Sequence, residues 1–180
     1  MLMETIDFSK HKRVRLMVMQ GQARVSGDPR LELTTVLGSC IACCLFDSSN
    51  NVGGMNHFLL ASPGNDSGLD EHYGVYLMEV LINEMLAYGA SRSAMRAHLY
   101  GGANMHSGMT RIGSANAAFA TAFLEQERIA LVRSSLGGNQ ARRVDFRPAR
   151  GQARCRLVDD TVAPQPIERP AATRGDVELF

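Results

Sequence analysis

Apolar and polar residues alternate roughly from Val14 to Val25 around Gln20-Gly21-Gln22, which predicts a strand, a bend and a short second strand. Gly27-Asp28-Pro29-Arg30 then breaks the pattern. "LTTVLGSC" and "IACCLFD" follow as β-rich runs interrupted at Gly38-Ser39, and the turn-forming "DSSNN" leads into "GGMNHFLL", which completes a hairpin signature. Residues 61–71, "ASPGNDSGLDE", read as a surface loop. From Tyr73 to Tyr88 apolar residues recur at spacings of three and four, the mark of an amphipathic helix, and Gly89 ends it. "AMRAHLYGGANM" alternates and then enters a Gly-Gly loop, as a strand feeding a loop should. A second helix is expected from Ser114 to Arg128 with Ala118, Phe119, Ala122 and Phe123 on its buried face. Strands "IALVRSS", "RRVDFRP" and "RCRLV" close the pattern, separated by the turns "LGGN" and "ARGQ".

Strands, two inner helices and strands again describe an α+β layered sandwich, with a mixed, largely antiparallel sheet packed against two principal helices. One domain is expected over residues 1–160. The stretch from Thr161 to Phe180 carries three prolines and no periodicity, and is expected to be a disordered tail.

Composition narrows the function classes. Lys and Arg number 19 against 18 Asp and Glu, a net charge of +1, which offers no broad attraction for nucleic acid or an anionic membrane. The basic cluster His11-Lys12-Arg13 with Arg15 reads as the solvated face of a strand. No apolar run is long enough for a membrane span and no signal peptide is apparent, so a cytoplasmic protein is expected. GxGxxG and P-loop patterns are absent, leaving nucleotide binding without support.

In a reducing compartment the four cysteines are free, metal-bound or catalytic. Cys40 and Cys43 form a C-x-x-C, but the pair opens a strand, where side chains three apart face opposite ways, and a second paired knuckle is missing. No metal and no cofactor are therefore expected. Cys43, Cys44 and Cys155 read as small buried hydrophobes. Cys40 differs because it follows Gly38-Ser39, where a bend can present a thiol and free backbone N–H groups for an oxyanion.

Hairpin register supplies a base. A two-residue turn at Ser48-Ser49 sets Cys40 opposite His57, with Cβ atoms about 4.5–5.5 Å apart. A register shifted by two residues leaves them diagonal neighbours on the same face, whereas a one-residue slip separates them. An imidazole there favours the thiolate and can protonate a leaving amine. Such dyads need a third group. Thr34 has the parity of Cys40 if the strand runs regularly, although spacing alone favours a β-branched strand filler.

The stretches "TTVLGSCIACCLFD", "GGMNHFLL", "YGGANM", "RIGSAN" and "LGGN" together resemble the chemoreceptor glutamine deamidase family, CheD, over roughly residues 14–158. The resemblance implies a cytosolic layered sandwich sharing its catalytic architecture with deamidating cytotoxic necrotising factor toxins. It implies a protein-glutamine glutaminase, a cofactor-free amidohydrolase that converts particular glutamines of methyl-accepting chemotaxis receptors to glutamate and ammonia. Carried over, the nucleophile falls on Cys40, the general base on His57 and the third member on Thr34. Gly101-Gly102 and Gly137-Gly138-Asn139 are expected to shape loops near the site. A CheC-type phosphatase is the implied second partner. Ala61 stands where relatives often have proline, and residues 161–180 have no counterpart. Two readings compete: another Cys-His hydrolase, such as a peptidase or acyltransferase, and a non-catalytic chemotaxis adaptor.

Overall fold

In the computed structural model, residues 12–60, 70–105 and 112–158 are described. The 61–69 part of the expected loop and the expected tail lie outside them. Nine strands and two helices follow one another as β1 (Val14–Met17), β2 (Gln22–Ser26), β3 (Leu31–Leu37), β4 (Ile41–Asp47), β5 (Val52–Phe58), α1 (Glu71–Ala87), β6 (Arg96–Gly101), α2 (Ile112–Gln126), β7 (Ala130–Leu136), β8 (Ala141–Arg147) and β9 (Gln152–Val158). The α+β class and the two principal helices stand as the pattern predicts.

The strands divide between two sheets, ordered β1-β3-β8-β9 and β2-β5-β4-β6-β7. Among the described strands the β1/β3 and β6/β7 pairs are parallel and the others antiparallel. Strand alternation splits the core into two slabs. Ile41, Cys43 and Leu45 of β4 join Leu77, Leu81 and Met85 of α1 on one face of the larger sheet. Ala42, Cys44 and Phe46 turn the other way, onto Leu33 and Leu37 of β3 and Phe146 of β8. The layers therefore run helices, five-stranded sheet, four-stranded sheet. Consecutive strands β3 and β4 belong to different sheets, so the chain crosses between layers at Gly38-Ser39-Cys40.

The β4–β5 hairpin takes the register shifted by two: Ala42 lies across from His57, and Asp47 from Val52. The loop is longer than two residues because Asp47 organises it, accepting from the N–H groups of Ser49 at 2.9 Å and Asn50 at 3.3 Å and from the Asn50 amide at 2.7 Å. Helix α1 starts two residues before the periodicity, where the Asp70 carboxylate accepts from the Tyr73 N–H at 3.1 Å. Helix α2 corrects the expected face. It buries Gly113, Asn116, Ala120, Phe123 and Leu124, while Ala118 and Ala122 face solvent. A hydrophobicity pattern counts Asn116 as a surface residue, yet it is fully buried and its polar atoms are used.

Candidate active site

Cys40 stands just ahead of β4, two residues from Ala42, which pairs with His57. Ala42 and Cys40 both pack toward the slab between the sheets, as does Met55, two residues before His57. Cys40 and His57 thus share one face of the hairpin. A bend over residues 18–21 joins them. The Gly21 N–H donates to the His57 carbonyl at 2.7 Å, and the Cys40 thiol donates to Gln20 Oε1 at 3.7 Å. Gly21 adopts φ +83°, a left-handed conformation that glycine accepts without strain, and this closes the bend back onto β5. Gln20 is a contact that residue spacing did not reveal. Its place in a predicted bend was the available signal.

The hydrogen bonds of His57 determine its tautomer. Nδ1 lies 3.0 Å from Thr35 Oγ1 and 3.2 Å from the Val18 carbonyl. The Thr35 hydroxyl donates its own proton to that carbonyl at 2.9 Å. Both oxygens are therefore acceptors toward the ring, Nδ1 carries the proton, and the lone pair is on Nε2. Nε2 is buried and has no hydrogen-bond partner among the described residues.

The expected third member must be corrected. Thr34 does not reach the imidazole: its hydroxyl donates to Asp145 Oδ1 at 2.8 Å on the outer face of the four-stranded sheet. Arg154 and Arg156 flank the same carboxylate at 3.5 and 3.3 Å. Thr35 points inward beside Leu33 and Leu37 and meets His57. Thr34 has the parity of Cys40 only if the strand runs on through Gly38-Ser39, but the chain changes sheets there and parity does not carry across the crossing. Thr35→Val removes one hydrogen bond from the ring and should lower kcat of any activity that uses His57 about 10-fold. Thr34→Val should leave kcat unchanged and lower the melting temperature, because Asp145 loses a donor. Steady-state kinetics and thermal melts of the two variants check this.

Burial works against charge on both partners. It pushes the Cys40 thiol up to about 12, opposed only by the residue's own backbone N–H near the sulfur. It also holds His57 below its ordinary 6.5, with the Val18 carbonyl pulling the other way. The resting pair is a neutral thiol and a neutral imidazole, rather than the thiolate expected from adjacency alone. Cys43 and Cys44 are fully buried and Cys155 is half-buried, each with its thiol raised by burial, as suits packing residues.

The glycine-rich stretches lie against the crossover loop that carries Cys40. The Gly102 N–H donates to the Cys40 carbonyl at 2.8 Å and the Ala103 N–H to the Gly38 carbonyl at 2.9 Å. Gly101, at φ +110°, passes so close that an added methyl would run into the Cys40 carbonyl oxygen. The Gly137 N–H donates to Gly101, and Gly138 accepts from the Asn104 N–H. Among the described residues no group of three or more His, Cys, Asp or Glu has the arrangement of a metal site, and no helix is long and apolar enough to cross a membrane. A cavity of about 210 Å³ lined by Tyr100, Arg133 and Cys155, among others, lies between β7 and β9 and shares none of its lining residues with Cys40, His57 or Gln20.

Comparison with known proteins adds a family signal. The model of the family described as CheD chemotactic sensory transduction matches residues 59–157. A "Probable chemoreceptor glutamine deamidase CheD" of Zymomonas mobilis is 52% identical over 178 residues, covering 97% of this chain and 96% of its own. A protein of the same description from Caulobacter vibrioides is 48% identical over 177 residues, covering 94% and 95%. One from Agrobacterium fabrum is 41% identical over 174 residues, covering 92% and 96%.

Proposed function

The chain belongs to the CheD family, and we propose that it is a protein-glutamine deamidase of chemotaxis receptors, with Cys40 as nucleophile, His57 as general base and acid, and Thr35 with the Val18 carbonyl orienting the ring. The observation that carries this is the imidazole. Two acceptors hold Nδ1–H, and the buried Nε2 lone pair is left without a partner on the face that Cys40 shares. An orphaned buried nitrogen costs about 1–3 kcal/mol of stability, and such a group kept in a folded protein is a mark of a catalytic role.

The chemistry follows from the neutral pair. As the thiol sulfur forms a bond to the glutamine side-chain carbon, its proton passes to His57 Nε2 and the amide oxygen takes the negative charge. The Ser39 and Cys40 N–H groups donate to no backbone carbonyl among the described residues, and are the groups available to that oxyanion. His57 then protonates the departing nitrogen, the C–N bond breaks and ammonia leaves. Water, losing a proton to the same Nε2, attacks the thioester carbon. Collapse breaks the C–S bond, returns the proton to sulfur and releases glutamate. No metal or organic cofactor takes part in this sequence.

Glutamine exposed on a receptor helix suits the surroundings. Val14, Leu16, Met17 and Met19 expose 41–51% of their surface along the segment leading to Gln20, an apolar approach to Cys40. A CheC-type phosphatase would compete for the same approach by occluding it. Residues 1–160 act as the single deamidase domain, in the cytoplasm where the receptors' signalling helices lie. The test is mass spectrometry of a receptor cytoplasmic fragment incubated with the protein. Each modified glutamine should gain about one mass unit with the chain intact, as NH is exchanged for O. Chain cleavage would instead favour a peptidase, and tight binding without any mass change the adaptor.

A further inference from the structure

Asn116 is the polar residue buried within α2, fully shielded from solvent. Its amide nitrogen donates to the Ser39 carbonyl at 2.8 Å, and its amide oxygen accepts from the Leu60 N–H at 3.1 Å. Because donor and acceptor are both engaged, the side chain has a single orientation. It ties the crossover loop that carries Cys40 to the chain just beyond β5, the strand that carries His57.

The Ser39 carbonyl and the Cys40 N–H belong to one peptide unit. Every described peptide is trans, so these two groups point in opposite directions. Holding the carbonyl toward α2 turns the N–H outward, away from the helix. Two observations agree with that direction. The Cys40 N–H donates to no backbone carbonyl among the described residues. It also lies close enough to the Cys40 sulfur to favour the thiolate.

We propose that Asn116 is a positioning residue for the deamidation: by fixing the Ser39–Cys40 peptide plane through the Ser39 carbonyl, it aims the Cys40 N–H at the oxyanion of the tetrahedral intermediate. The inference rests on the deamidase reading. It assigns Asn116 no contact with substrate, and it explains why a polar residue occupies the buried stripe of α2. Gly38 and Cys40 have their carbonyls held by backbone donors of Ala103 and Gly102, so of the three loop carbonyls the Ser39 carbonyl is the one held by a side chain.

The test separates oxyanion stabilisation from thiol placement. Asn116→Leu removes both hydrogen bonds without burying a charge, and Asn116→Ala removes both with a smaller side chain. Each variant is melted to verify folding, assayed for deamidation of a receptor fragment, and titrated with iodoacetamide at alkaline pH. Alkylation displaces iodide and develops no oxyanion. The expected result is a fall in kcat of about 10²-fold, the usual cost of one oxyanion donor, with KM and the Cys40 alkylation rate unchanged. A folded variant with wild-type kcat would overturn the proposal, as would alkylation falling in step with kcat, which would mark Asn116 as a holder of the loop only. Failure of the underlying reading would look different: wild type itself would leave receptor glutamines unmodified.

Discussion

Cys40→Ala should abolish the mass gain on receptor glutamines, with turnover falling by at least about 10⁴-fold, since removing the nucleophile leaves only binding and oxyanion contacts to act. The melting temperature should barely move. Cys40 is half-buried at a crossover, its side chain makes no hydrogen bond among the described residues beyond the one to Gln20, and the backbone bond from Gly102 to its carbonyl is kept by alanine. Cys43→Ala is the matched control. Its side chain is fully buried against the helices, so it should cost stability and spare turnover. Receptor modification retained by the Cys40 variant would remove this residue as the nucleophile and, with it, the proposed mechanism.

His57→Gln should reduce kcat by about 10²–10⁴-fold, the range expected when a general base is lost. Iodoacetamide should still reach Cys40 at alkaline pH, because the thiol remains where the crossover loop puts it. The pH behaviour of wild type gives a second check. Burial keeps the imidazole proton-free below its ordinary 6.5, so activity should be level through neutral pH and decline only on the acid side of that value. Stability should follow the same direction. Once pH falls below 6.5, the unfolded chain binds a proton at this position more readily than the folded chain, and unfolding becomes easier. The contribution is fully present above 6.5 and is lost as pH drops toward the lowered folded value. His98 shares the direction through its own burial, so His57→Gln should remove part of the acid slope and leave the rest. Urea melts at a series of pH values measure the slope, and an unchanged slope in His57→Gln would contradict the assigned burial of a neutral ring.

Local pattern carried most of the architecture. The β4–β5 hairpin was legible because alternation and a turn-rich stretch are properties of neighbouring residues, and its parity was one of the two anticipated registers. The third site member was not legible. Thr34 and Thr35 are adjacent β-branched residues of one strand, and which of them faces His57 depends on which sheet β3 joins. Gln20 and Asn116 were missed for a related reason. Each is an ordinary amide by local pattern, and acquires its role from groups 20 and 77 positions away in the chain.

Sequence by itself determined which side chains are candidates for the proposed chemistry: one thiol set apart by Gly38-Ser39 and one imidazole in matching register, with the other cysteines placed in apolar strands. Tertiary structure alone decided their electronic state and their partners. Burial between two sheets raises the thiol and lowers the imidazole, and the crossing at Gly38-Ser39-Cys40 gives Thr35, rather than Thr34, to the ring. The physical reason is range. Periodicity and turn chemistry act over a few residues, while desolvation and hydrogen-bond direction depend on strands and a helix that the chain brings together from afar.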